Sequence, residues 1–325
     1  MSTILITGAA TGIGNLTARA LTRAGHTVWA SMREPYGQDD VHRQELLDLA
    51  ARHGGTLRVV ELDVTSQESA DAAVATILRD SGDLDVVMQN AGHLYVGYTE
   101  AFTAEDVAHL FDINVIGAHR VNRAAMPHLR SRGGGTLVYV GSTIIVTTPP
   151  FLGPYAASKA AFDTLAVATS YEANPFGIET CIVMPGAITK GTQHFPNATQ
   201  AGDSAVSAAY AELDPLVARN EEVTSALFVP GVDPSPVGVA EEITRILALP
   251  HGAKPFRSVI DYTESGVEWV NDVMRDPDPL HLATVFGLDP KTAIRYAENA
   301  RALLVAQAEE QDPASRDEPK GPQTI

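Results

Sequence analysis

The sequence predicts an α/β fold in which helices cover both faces of a doubly wound parallel sheet. Two observations carry this expectation. Short runs of continuous apolar residues alternate with helical patterns up to Met184, and strands without polar alternation belong in parallel sheets buried on both faces. A glycine-rich turn, Thr7-Gly-Ala-Ala-Thr-Gly-Ile-Gly14, joins the first apolar run to a helix. Glycine in such a turn permits tight dihedrals and close approach of another group to the backbone.

The elements follow in order. Residues 3–6 read as the first strand and residues 14–24 as its helix. Residues 26–32 form the second strand and 40–53 a helix; 57–62 form the third strand and 66–79 a helix; 84–88 form the fourth strand. A long helix over 104–130 is closed by Gly133-Gly-Gly135. Residues 136–140 are the fifth strand, 154–173 a helix and 178–184 the sixth strand. Right-handed crossovers then give a Rossmann-like three-layer α/β/α arrangement. The pattern loosens after Pro185: residues 190–230 are polar and alanine-rich and are expected to form a helical insertion over the carboxyl edge of the sheet. A helix over 236–249 and a last strand over 256–260 follow. Residues 1–262 thus read as one domain, and 263–310 as a C-terminal helical extension with helices around Trp269 and over 293–309. The tail over 311–325, rich in Pro, Asp, Glu and Lys, is expected to be disordered.

Composition excludes several function classes. The chain has 325 residues, enough for a full core, with 45% hydrophobic and 19% charged residues, as in an ordinary globular protein. A net charge of −17 argues against general affinity for nucleic acid or anionic membranes, which need basic surface. The one cysteine, Cys181, lies in an apolar run and reads as a small core residue, so no intrachain disulfide forms. No apolar stretch is long enough to span a bilayer, and no basic segment precedes the first strand. These points predict a reducing, cytoplasmic setting. No His/Cys cluster has metal-ligand spacing, so no metal is expected.

Tyr155 and Lys159, in Gly153-Pro-Tyr-Ala-Ala-Ser-Lys159, are four apart and share one helical face. A lysine cation ~4 Å from a phenol contributes about 4 kcal/mol at an effective dielectric near 20. That is enough to lower the phenol pKa by up to roughly three from its usual value near 10. A tyrosine so tuned can exchange a proton with an alcohol or carbonyl oxygen at cellular pH. The glycine turn precedes a helix whose N-terminal N–H groups and dipole suit a phosphate.

Together these residues resemble the short-chain dehydrogenase/reductase family in its compact, single-domain form. The family pattern Thr-Gly-x-x-x-Gly-x-Gly stands intact as Thr7 to Gly14. Asp63-Val64 follows the third strand, where the family contacts adenine, and Asn90-Ala91-Gly92 ends the fourth, with Gln89 where the family has a first Asn. Asn114 matches the helix-bending asparagine, Ser142 the catalytic serine, and Pro185-Gly186 the end of the sixth strand. The resemblance spans roughly residues 3–260. It implies a catalytic set of Asn114, Ser142, Tyr155 and Lys159: Tyr155 as general acid in reduction or base in oxidation, Ser142 on the reacting oxygen, Lys159 on the nicotinamide ribose, Asn114 holding a relay water. It implies cofactor contacts from Gly8, Thr11, Gly12, Ile13, Gly14, Arg33, Asp63, Val64, Asn90, Ala91, Gly92, Tyr155, Lys159, Pro185, Gly186, Ile188 and Thr189. Thr189 is taken for the carboxamide because the family's usual threonine position holds Lys190.

An acidic residue after the second strand would favour NAD. Met32 and Arg33 stand there, and arginine can pair with a 2′-phosphate; this resembles NADP-using, 17β-hydroxysteroid dehydrogenase-like members. NADP(H) is therefore expected, with NAD(H) as the alternative and Glu34 as the competing charge. The run 143–152 with His93, Leu94 and Tyr95 is expected to line an apolar substrate cleft, in which His93, Ile144, Phe151 and Tyr155 would meet substrate. The family builds its substrate lid where residues 190–230 lie, and His194, Phe195, Tyr210, Leu213 and Phe228 fall there, most of them fitting ordinary helix packing. The implied activity is hydride transfer between a nicotinamide and a ketone or secondary alcohol, medium-sized and apolar. A non-catalytic dinucleotide-binding regulator and an extended-type epimerase or dehydratase are the alternatives. The family pairs subunits through the helices over 104–130 and 154–173, which implies a homodimer or homotetramer.

Overall fold

The computed structural model describes residues 1–274 other than 189 and 264. The expected helix over 293–309, the tail over 311–325 and Thr189 lie outside the described residues.

The strands are β1 (Thr3–Ile6), β2 (Thr27–Met32), β3 (Thr56–Glu61), β4 (Val86–Gln89), β5 (Tyr95–Val96), β6 (Gly135–Val140), β7 (Ile178–Pro185), β8 (Thr199–Gln200) and β9 (Arg257–Ile260). Seven of them form one parallel sheet in the order β3-β2-β1-β4-β6-β7-β9. The order reverses between β1 and β4, and the carboxyl ends at such a switch point open a crevice for ligands. Alternate residues of each strand serve opposite faces. Leu5, Val87, Leu137 and Ile182 join one buried cluster; Ile4, Ile6, Val86, Val138 and Val183 join the other. This is why the strands read as continuous apolar runs. Cys181 is buried in the second cluster, as expected of a core residue.

The helices that cover the faces are α1 (Gly12–Arg23), α2 (Asp40–His53), α3 (Gln67–Ser81), α4 (Ala104–Phe111), α5 (Gly117–Arg132), α6 (Ile144–Thr147) and α7 (Gly153–Ala173). Beyond β7 come α8 (Ser204–Ala209), α9 (Asp214–Ala218), α10 (Asn220–Ala226), α11 (Pro236–Ala248) and α12 (Val267–Met274). Ser66 caps α3 by accepting from Ser69 N, and Thr103 and Asp106 form a reciprocal capping box on α4.

Two expectations need correction. The helix over 104–130 is not continuous: a π-helical turn, Asp112–Ile116, separates α4 from α5. Asn114 sits in that turn and is buried. Its side chain bonds outward to two other segments, and a wide turn of this kind commonly marks a functional position. The region over 190–230 is not purely helical either. Strand β8 pairs in parallel with β5, Tyr95 opposite Thr199 and Val96 opposite Gln200. This two-residue pairing ties the segment leaving β4 to the insertion.

Candidate active site at the carboxyl edge of the sheet

A cleft of about 1710 Å³ opens at the carboxyl edge of the sheet, over the switch point. Thr7, at the end of β1, organises its floor. Its hydroxyl donates to Met88 O and accepts from Asn90 N and Ala91 N, the latter two at 2.9 Å. The Asn90 amide then donates to Thr7 O and Gly8 O at 2.8 and 3.0 Å. The glycine turn is locked onto β4 in this way. Gly8 has φ +64°, and a Cβ there would lie 2.9 Å from the Ala91 backbone. At Gly14 a Cβ would meet Asn90 Nδ2 and Gly8 O at 2.5 Å, so only glycine fits either position.

Gly8, Thr11, Gly12 and Ile13 line the cleft, whereas Gly14 is packed behind them. The cap residue Thr11 makes no side-chain bond to the first turn of α1. Those N–H groups therefore face the cleft without a side-chain acceptor, which fits a pyrophosphate. Arg33, Asp63, Val64, Asn90, Ala91 and Gly92 line the same space from the ends of β2, β3 and β4, and Pro185, Gly186 and Ile188 line it beyond β7. Arg33 is exposed and takes part in no ion pair among the described residues; Glu34, its competitor by sequence, uses its backbone N–H to bond Asp39. The Asp63 carboxylate accepts from Thr65 N and Oγ1 at 2.9 and 2.7 Å, which fixes the β3 exit. Gln89, where the sequence departs from the family pattern, donates to Asn122 Oδ1 at 2.9 Å and to Ala118 O, and so braces β4 against α5.

Ser142, Tyr155 and Lys159 line the same cleft. Ser142 follows β6; its hydroxyl contacts Pro185 O at 3.4 Å and accepts from Ile144 N at 3.2 Å. Tyr155 and Lys159 project from one face of α7, both about 8% exposed. Lys159 Nζ donates to Val140 O at 3.0 Å and lies 5.2 Å over the Phe162 ring. Burial lowers the Lys159 pKa from 10.5 to about 8 and pushes the Tyr155 phenol above its ordinary value of 10.0. The expected lowering of the phenol by Lys159 is therefore not what this geometry gives. Loss of hydration outweighs the lysine, whose ammonium is turned to Val140, and each buried group favours its neutral form.

Asn114 does not line the cleft. Its Oδ1 accepts from His93 N at 2.7 Å, and its Nδ2 donates to His93 O and Ser158 Oγ at 3.0 Å each. The Ser158 hydroxyl donates in turn to Tyr155 O. Asn114 thus couples the β4 exit to the helix that carries Tyr155.

His93 and Ile144 line the cleft, as do Leu94 and Leu152. Phe151 and Tyr95 do not. Phe151 has φ +66°, and its ring meets Tyr98 edge-on at 5.7 Å; the left-handed backbone turns it from the cleft. The Tyr95 hydroxyl bonds His109 Nδ1 at 2.7 Å instead. The insertion supplies a contact that its sequence did not single out: His194 Nε2 and Tyr155 Oη share a hydrogen bond of 3.1 Å, with the rings edge-on at 5.4 Å. Burial, then the Lys159 charge and His93, lower the His194 pKa from 6.5 to about 4. The only sequence signal for this contact was a histidine eight residues beyond Gly186.

Comparison with known proteins agrees with this geometry. A family model described as short chain dehydrogenase matches residues 2–201. The chain is 32% identical over 188 residues to 3-ketodihydrosphingosine reductase of Bacteroides thetaiotaomicron, covering 58% of this chain and 64% of that protein. It is 29% identical over 309 residues to human retinol dehydrogenase 8, covering 93% and 88%. Among solved structures, a short-chain dehydrogenase from Streptomyces avermitilis superimposes with a TM-score of 0.66 at 29% identity, covering 89% of this chain and 98% of that one. The glycine turn fixed by Thr7 and Asn90, the parallel sheet and the matched model agree: this chain belongs to the short-chain dehydrogenase family.

Proposed function

We propose that the protein is an NAD(P)-dependent oxidoreductase acting on a ketone or secondary alcohol, NADP(H)-preferring, with Tyr155 as its general acid and base. The observation that supports this reading is that Ser142, Tyr155 and Lys159 line one cleft with the glycine turn, Tyr155 and Lys159 one turn apart on α7. A bound nicotinamide would supply or accept the hydride. The chain's own residues would do the rest. The glycine turn and the N-terminus of α1 would hold the pyrophosphate, with Asp63 and Val64 beside the adenine. Lys159 would leave Val140 O for the ribose hydroxyls. Ser142 would donate to the reacting oxygen and stabilise its developing charge. Tyr155 would pass its proton to that oxygen in reduction, for which a phenol held neutral by burial is the right form; to take the proton in oxidation it would first have to ionise, which the Lys159 ammonium would favour once it leaves Val140 O. Leu94, Ile144 and Leu152 would pack an apolar, medium-sized substrate.

Preference for NADP(H) is supported by Arg33, exposed at the cleft and without an ion pair among the described residues, since a guanidinium suits a 2′-phosphate. An NADPH-oxidation screen over ketones, aldehydes and quinones, repeated with NADH, tests the reading. Turnover of ketones with a lower KM for NADPH is expected. No oxidation of either cofactor by any carbonyl overturns it.

A further inference from the structure

The cleft is apolar around Leu94, Ile144 and Leu152, yet four histidines also line it, His93 and His194 among them. His194 is the deeper. It makes the 3.1 Å bond to the Tyr155 hydroxyl, the atom proposed to meet substrate. His93 sits at the β4 exit, its Nε2 bonded to Thr199 Oγ1 at 2.7 Å, so it is held by the lid strand β8. Both rings line the same cleft. The His194 loop is built in: Gly191 has φ +77° and packs closely on Pro236, and the Phe195 ring meets His194 edge-on at 6.4 Å.

With Nε2 unprotonated, His194 accepts the Tyr155 proton, and a carbonyl oxygen that takes that proton leaves Nε2 without a donor. A plain ketone has one oxygen, which Tyr155 and Ser142 would use. His194, half-buried in the open cleft, would then be covered by substrate with nothing to bond, and sites built that way reject the ligand that leaves them unpaired. A neighbouring oxygen on the same substrate removes the conflict. Hydrogen bonds span about 2.7–3.2 Å, so adjacent oxygens can take Tyr155 Oη and His194 Nε2 separately. A neutral imidazole can donate from one nitrogen and accept at the other, which suits a hydroxyl or a second carbonyl.

We propose that His194 is a specificity-determining residue, selecting carbonyl and alcohol substrates that carry a second oxygen on the carbon next to the reacting one. This rests on the proposed function for the site, and deepens it from an apolar ketone to an apolar body bearing a vicinal pair of oxygens.

The test uses matched probes. Binding of cyclohexanol and of 1,2-cyclohexanediol is measured by calorimetry with saturating NADPH, with which an alcohol does not react. Reduction of cyclohexanone and of its 2-hydroxy derivative is measured alongside. The wild-type chain is expected to bind the diol, and to reduce the hydroxyketone, roughly tenfold to a hundredfold better than the plain partner. His194→Phe keeps the ring and should abolish that ratio; His194→Gln keeps a hydrogen-bonding group and should retain most of it, which separates the effect from a folding defect. Equal binding of the two alcohols by the wild type, no binding of either, or an unchanged ratio in His194→Phe overturns the proposal. Diol preference without reduction of any ketone would leave it standing while removing the proposed activity. Equal reduction of both ketones would do the reverse.

Discussion

One hydroxyl, that of Thr7, donates to Met88 O and accepts from Asn90 N and Ala91 N. Thr7→Val keeps the shape and leaves two backbone donors unpaired next to the glycine turn. The expected cost is at least about 2 kcal/mol, read as a lower urea midpoint with an unchanged slope. Lys159 makes a pH prediction. Its pKa is about 8 in the folded chain against 10.5 in the unfolded one. Between those values the unfolded chain binds more protons, so this group's contribution to stability rises with pH from about 8 towards 10.5. Tyr155 acts oppositely: its raised pKa costs stability once the unfolded phenol ionises above 10.0. Urea midpoints at about pH 8 and pH 10 should therefore rise less in Lys159→Met than in the wild type, the difference being on the order of 1–3 kcal/mol. A rise of equal size in both proteins would show that Lys159 is not held by burial.

At the scale of elements, the π turn between α4 and α5 matters most, because it presents Asn114 to two segments at once. Its amide bonds both backbone groups of His93 and the Ser158 hydroxyl. Asn114→Ala is expected to destabilise the chain by about 2–4 kcal/mol through those lost partners, and to lower turnover more than the loss of folded protein explains. Thermal midpoint and kcat measured on one preparation check both. The sheet and its helices were legible because buried parallel strands must be apolar throughout; β1 and α2 keep the expected bounds, and most others move by one or two residues. Strands β5 and β8 were not legible, since a two-residue pairing carries no period. The π turn was legible only as a family asparagine, because helix periodicity runs through it. The catalytic-type residues could be found one by one from their motifs. Their partners could not: Tyr155 to His194 and Phe151 to Tyr98 depend on where a loop folds back and on one positive φ, neither of which leaves a trace in spacing.

At the scale of the whole molecule, no helix among the described residues is long and apolar enough to cross a membrane, and the net charge is −17. A ligand that binds only the folded chain stabilises it by about 2.7 kcal/mol at a hundred times its Kd. Saturating NADPH should raise the Tm by several degrees, and by more than NADH at the same concentration; Met32→Asp should reverse that order. The central claim concerns the proton. Positioned acid–base groups contribute about 10²–10⁴ in rate. The most direct measurement is single-turnover reduction of a ketone by NADPH in Tyr155→Phe, with NADPH affinity determined on the same protein by fluorescence. A rate at least a hundredfold lower, with NADPH affinity within a few-fold of wild type, is expected. A rate equal to wild type, at equal NADPH occupancy, would contradict it.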